Sequence, residues 1–163
     1  MSMLNVKIVD NEDTAVKVGK FLTSEYTFDQ IWAPNEKVIV EQAVIDSVGR
    51  DNHRYWYIED QGRVVAALGV RENKYGSDGY EMDSDYVAVR RDYRNRGLAT
   101  LLLEQMESFV KDRNGRYIHV LTCDIPSYEA ARRFYEKHGY KKVGEMPDYY
   151  VVGEGRIDYF KEL

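Results

Sequence analysis

The sequence predicts an α/β domain with a mixed β-sheet, and three observations carry that expectation. Short β-rich runs alternate along the chain with stretches of helical periodicity. Residues 64–70 are apolar without a break, as a strand buried on both faces would be. The runs RYWYIED and RVVAALGV are separated by Gln61-Gly62, a two-residue turn signal that predicts an antiparallel hairpin.

In chain order, residues 5–10 (NVKIVD) read as a short strand. Val16, Val18, Phe21 and Leu22 then stand at helical spacing behind Asp13, a residue type that caps helix starts. A Trp32-Ala33-Pro34 turn precedes a second helix, in which Val38, Val40, Ala43, Val44 and Val48 recur and Gly49 supplies the stop. The hairpin follows, and the polar loop ENKYGSDG leads to a longer strand over residues 80–89. After an arginine-rich loop, Leu98, Leu101, Leu102, Met106 and Phe109 mark one face of a third helix. The strand YIHVLT, a helix over residues 127–138 ended by Gly139, and two strands around YKKVGE and RIDYFKEL complete the order β-α-α-β-β-β-α-β-α-β-β.

Composition narrows the function. The 163 residues carry a formal charge of −5, whereas nucleic-acid and membrane-surface binders need a broadly basic face, so neither partner is expected. No apolar stretch approaches the roughly 18 residues of a membrane span and the N-terminus lacks a signal-peptide core, so a cytoplasmic protein is expected, with residues 1–163 forming one domain. Cys123, the single cysteine, has no disulfide partner, and His53, His119 and His138 lack zinc spacing, so no metal is expected.

Against this acidic background Arg90, Arg91, Arg94 and Arg96 crowd before Gly97, which opens the third helix. The first N–H groups of a helix have no intrahelical partners and sit at the positive end of its dipole, which makes a strand-to-helix junction an anion site. Gly97 allows close approach of the main chain, Ala99 keeps the first turn free of bulk, and the arginines add charge. A diphosphate suits such a loop. Neither the P-loop pattern nor the dinucleotide fingerprint is present.

Arg94-x-x-Gly97-x-Ala99 resembles the R/Q-x-x-G-x-G/A acetyl-CoA loop of the GNAT superfamily of N-acetyltransferases. A second block, Ser127-x-x-Ala130-x-x-x-Phe134-Tyr135-x-x-x-Gly139-Tyr140, resembles the family's N-x-x-A-x-x-x-Y-x-x-x-G-F, with Ser127 read at the place of the asparagine. The resemblance implies a GNAT-like fold with a central mixed sheet of six to seven strands and about four helices. It also implies acetyl-CoA as acyl-donor cosubstrate. The pantetheine arm would pair with main chain near Val87, Ala88 and Val89. The diphosphate would rest on Arg94, Asn95, Arg96, Gly97, Leu98, Ala99 and Thr100, with Ser127 and Ala130 completing the cofactor side.

Amine acetylation needs a base for the ammonium, a donor for the oxyanion and an acid for the departing thiolate. The resemblance assigns Tyr135, four residues before Gly139, as that acid. For the base, period-two alternation puts Glu81, Asp83 and Asp85 on one face of the strand with Val87 and Val89. Asp83 and Asp85 are the candidates for catalysis and Glu81 for attraction of a cationic substrate, and ordered water stands as the alternative base. Cys123 reads as a buried small hydrophobe rather than a nucleophile.

The acceptor side of such a fold lies between the segment joining the first two helices, residues 25–34, and the loop between the last two strands, residues 145–156. Tyr26, Phe28, Asp29 and Trp32 occupy the first, and Tyr149 and Tyr150 the second. Aromatic and acidic groups together suit a cation. The expected acceptor is a primary amine on a polyamine or other small molecule, a lysine side chain or a peptide N-terminus. A homodimer is left open. An acetyl-CoA-binding sensor that transfers nothing is the alternative function.

Overall fold

The structure, a computed structural model, describes residues 4–28, 32–82 and 84–163. Its elements are β1 (Val6–Ile8), α1 (Glu12–Leu22), α2 (Glu36–Ser47), β2 (His53–Asp60), β3 (Arg63–Glu72), β4 (Gly79–Met82), β5 (Val87–Val89), α3 (Leu98–Asp112), β6 (Tyr117–Cys123), α4 (Glu129–Lys137), β7 (Lys141–Val151) and β8 (Glu154–Glu162). The sheet runs β1-β2-β3-β4-β6-β8-β7, with β5 paired to β3 beside this path. The β4–β6 pair is parallel and the other pairs are antiparallel, so the sheet is mixed as expected. One strand more than expected appears because residues 80–89 form two short strands, β4 and β5, rather than one.

Local chemistry accounts for the boundaries. Asn11, not Asp13, caps α1: its side chain accepts from the Thr14 N–H at 2.9 Å, and Asp13 lies in the first turn. At the β2–β3 turn Gln61 and Gly62 take φ of 52° and 76°, the positive pair that a tight hairpin turn requires. Residues 145–156, expected as a loop, belong mostly to β7 and β8. Pro147 and Asp148 are accommodated in a register irregularity between Met146 and Val151, and Asp148 Oδ1 accepts from the Gly153 N–H at 2.8 Å.

Two apolar cores cover the sheet. On one face Trp56, Ile58 and Leu68 meet Leu102, Leu103, Met106 and Phe109 of α3. On the other, Tyr55, Tyr57 and Ala67 meet Val18 and Leu22 of α1 and Val40 and Val44 of α2. Residues 64–70 are buried throughout, as the unbroken apolar run predicts. On α3 the periodicity misplaces one residue: Leu101 is exposed and Leu103 is buried. Val16 and Val38, also counted into helix faces, point to solvent. No helix among the described residues is long and apolar enough to cross a membrane.

Candidate active site

The site exists because β4 and β5 are separate. β4 pairs with both β3 and β6, in register from Gly79 with Tyr117 to Met82 with Val120. Among the described residues β5 pairs with β3 alone, through Ala66 with Val89 and Leu68 with Val87. The sheet is therefore parted beyond Met82, and β5 and β6 border a gap.

Two cavities with shared lining residues lie beside β5. A cleft of about 540 Å³ runs from the start of α3 to α4, lined by Val87, Ala88, Val89, Arg94, Asn95, Gly97, Leu98, Ala99, Thr100, Ser127 and Ala130 among others. A smaller cavity of about 40 Å³ lies between Met82, Tyr86 and Val87 on one side and Leu121, Thr122 and Cys123 on the other. Phe28, Val87, Tyr128, Ala131 and Tyr135 line both.

Eleven of the twelve residues expected on the cofactor side thus border one cleft. Arg96 is the exception: its guanidinium lies 4.6 Å over the Tyr93 ring and donates to the Asp92 carbonyl. Asn95 and Gly97 take positive φ, 63° and 78°, and the first intrahelical bond of α3 runs from Leu101 N–H to the Gly97 carbonyl. The N–H groups of Leu98, Ala99 and Thr100 therefore precede the helix ladder. A Cβ placed on Gly97 would meet nothing within 4 Å, so the main chain there borders open space. The other arginines tie the loop down. Arg94 Nη2 donates to the Thr27 carbonyl at 2.6 Å, and Arg90 lies 4.1 Å over the Tyr26 ring. Tyr26 is consequently held at the arginine loop and lines neither cavity.

Tyr135 is 4% exposed at the junction of the two cavities, and burial pushes its phenol well above the usual range, so it stays protonated at neutral pH. Cys123 lines the inner cavity. Burial first, then the nearby carboxylates of Glu154, Glu36 and Asp124, push its thiol up to about 12, which keeps it a thiol as expected of a non-nucleophile.

The acidic strand is corrected. Asp85 does not face the gap: it is completely buried, 2.9 Å from His53 Nε2 on β2 through Oδ1 and 3.4 Å from Arg71 Nε on β3 through Oδ2. Glu81 lies 3.7 Å from the same Arg71 and lines neither cavity. Period-two alternation fails here because the chain leaves extended pairing between β4 and β5, which resets the faces. Asp83 and Asp29 lie outside the described residues.

On the acceptor side, Phe28 stacks on Tyr128 at 5.8 Å and meets the Trp32 ring edge-on at 6.2 Å. Tyr150 lines the inner cavity, whereas Tyr149 is half-exposed beneath the Arg156 guanidinium. Sequence reasoning missed Tyr86, Tyr128 and Glu36. Tyr86 lines the inner cavity and donates to Glu36 Oε1 at 3.0 Å, while Glu36 Oε2 accepts from the Ala33 N–H at 3.0 Å. Tyr128 had a signal: counting back from Tyr135 and Gly139, the asparagine place of the second block falls on Tyr128, not on Ser127. Ser127 lies in a turn before α4 and is not its cap.

These features define an α/β fold whose sheet is parted beside a helix start, with a positive-φ loop bordering the cleft and a buried phenol at its inner end. The chain belongs to the acetyltransferase (GNAT) family, whose signature matches residues 20–140. An N-alpha-acetyltransferase of Saccharolobus solfataricus is 41% identical over 69 residues, which are 42% of this chain and 40% of that protein. The chain spans about two fifths of the length of the curated relatives it matches. The same fold is present in an acetyltransferase of the GNAT family from Desulfovibrio desulfuricans, with a TM-score of 0.80 at 18% identity, covering 98% of this chain and 99% of that one. An aminoglycoside 6'-N-acetyltransferase complexed with coenzyme A shares it too, with a TM-score of 0.72 at 20% identity over 97% and 96% of the two chains.

Proposed function

We propose that the protein transfers the acetyl group of acetyl-CoA directly to a primary amine. The observation that carries this reading is that Tyr135 borders both the cleft at the α3 start and the smaller cavity beside β6. The N–H groups over residues 95–100 hold the diphosphate at the positive end of α3, and the arm runs along β5 on the side that has no ladder to β6. Acetyl-CoA supplies the acetyl group as a thioester. Tyr135 keeps its proton at neutral pH and delivers it to the departing thiolate.

The acceptor enters on the α1–α2 side, past Phe28 and Trp32, toward an inner wall of Tyr86, Tyr128 and Tyr150. Aromatic faces with Glu36 behind them attract an ammonium, which favours a polyamine, a lysine side chain or a peptide N-terminus over a neutral nucleophile. The similarity to an N-alpha-acetyltransferase supports the peptide N-terminus among these.

A thiol-release assay with acetyl-CoA and a panel of spermidine, Nα-blocked lysine and a tetrapeptide with a free N-terminus tests the reading. Amine-dependent release of coenzyme A thiol is the expected outcome. Tight acetyl-CoA binding with no release on any amine would make the protein a sensor instead.

A further inference from the structure

We propose that Tyr86 and Glu36 form the proton relay that neutralises the acceptor ammonium; this rests on the amine-acetylation reading above. Neither carboxylate described on the acidic strand serves as base, since Asp85 is sealed against His53 and Arg71, and Glu81 is turned toward Arg71. The inner cavity has instead a phenol whose hydroxyl already points at a carboxylate: Tyr86 donates to Glu36 Oε1 at 3.0 Å. The Ala33 N–H fixes the other oxygen of Glu36 at 3.0 Å, at the head of α2. Glu36 is half-buried, so a proton it receives can pass on to water.

The two phenols approach the cavity from opposite faces of the parted sheet. Tyr135 belongs to the core beneath α3, and Tyr86 packs against the core beneath α1 and α2. An amine arriving from the α1–α2 side meets Tyr86, while a thioester arriving along β5 meets Tyr135. Among the described residues, titratable groups near the relay include Tyr128 and Tyr150 around Tyr86, Tyr55 on β2, Cys123 on β6, and Glu154 at the start of β8. Among the described residues the inner cavity has no cationic lining group to repel an ammonium. Burial and the Glu36 charge hold the Tyr86 phenol far above its usual range, so the phenolate does not accumulate and the two transfers occur together.

The step is a double proton transfer. An N–H bond of the ammonium breaks and its proton passes to the Tyr86 oxygen. The Tyr86 hydroxyl proton passes to Oε1 of Glu36 in the same event. The nitrogen keeps the electron pair with which it attacks the thioester carbonyl, and Glu36 later returns its proton to solvent.

The test compares Tyr86→Phe, Glu36→Gln and the double variant with the wild type across pH, using whichever amine of the panel the wild type acetylates fastest, with acetyl-CoA affinity measured by calorimetry. Acetyl-CoA affinity is expected to be unchanged in all three, which checks that the fold and cofactor site are intact. Each single variant should lower kcat about 10²-fold at pH 7, and the double should lose no more than either single, as expected of one chain of transfers. The variants should regain rate as pH climbs toward the pKa of the amine, ~10.4 for a lysine-type group, because only amine that is already neutral then reacts. An active wild type with variants that keep its kcat and pH profile overturns the relay alone. A rise confined to KM also overturns it, reducing Glu36 to charge attraction. A wild type that binds acetyl-CoA yet acetylates no amine overturns the acetylation reading itself.

Discussion

Tyr135 and Asp85 were both singled out by their place in the sequence, and their surroundings separate them. Tyr135 is buried where the two cavities meet, and its phenol is held protonated by desolvation. Tyr135→Phe should leave acetyl-CoA affinity unchanged and lower kcat roughly 10²–10⁴-fold, the loss expected of a general acid. An unaltered rate across pH would make water the proton donor and Tyr135 a packing residue. The position of Tyr135 was legible because the spacing to Gly139 is local and fixed by one helix turn. Glu36 and Tyr86 were not legible. Fifty positions separate them in sequence, and only the docking of α2 against the parted sheet brings the carboxylate to the hydroxyl. Alternation in the sequence puts Tyr86 on the face opposite Val87, yet the two residues line the same inner cavity.

At the scale of elements, the break between β4 and β5 decides where the side chains of the acidic strand go. Sequence predicted a strand over residues 80–89 and overlooked the interruption, because YEMDSDYVAV alternates well enough to pass as continuous. After the break the chain carries Asp85 to the α1–α2 face, where it joins the side chains of neighbouring strands: His53 on β2 and Arg71 on β3 are register partners. Removing Asp85 leaves the buried His53 ring without its hydrogen-bond partner, at a cost of about 1–3 kcal/mol. Asp85→Ala should therefore lower folding stability by about that amount in urea unfolding, while kcat measured well below the melting temperature stays within a few-fold of wild type. A variant of wild-type stability with a collapsed rate would return Asp85 to the candidates for the base. The α3 start behaves differently, since the Arg94-x-x-Gly97-x-Ala99 spacing predicted its place and its lining of the cleft. It did not predict that Arg94 would bond the Thr27 carbonyl, because that contact spans the sheet's α1 side.

For the whole molecule, the alternation of strands and helices gave the layer order, because periodicity reports which face of each element is buried. It could not give the parting of the sheet, since that depends on β4 pairing with β6 while β5 pairs with β3 alone. The parting leaves β5 beside two cavities, the long cleft between the α3 start and α4 and the smaller one between Tyr86 and β6, which share Phe28, Val87, Tyr128, Ala131 and Tyr135 as lining. In the proposed reaction, donor and acceptor would approach Tyr135 from different sides of the parted sheet. The proposed function requires that the cleft at the α3 start hold acetyl-CoA. Titrating acetyl-CoA calorimetrically into the wild type and into Gly97→Leu tests it most directly. Gly97 has φ of 78° and open space where a Cβ would stand, so leucine both strains the turn and fills the space above the helix-start N–H groups. Binding by the wild type and its loss in a variant that retains native circular dichroism is the expected result, and equal affinity in the two proteins would contradict the assignment of the cleft.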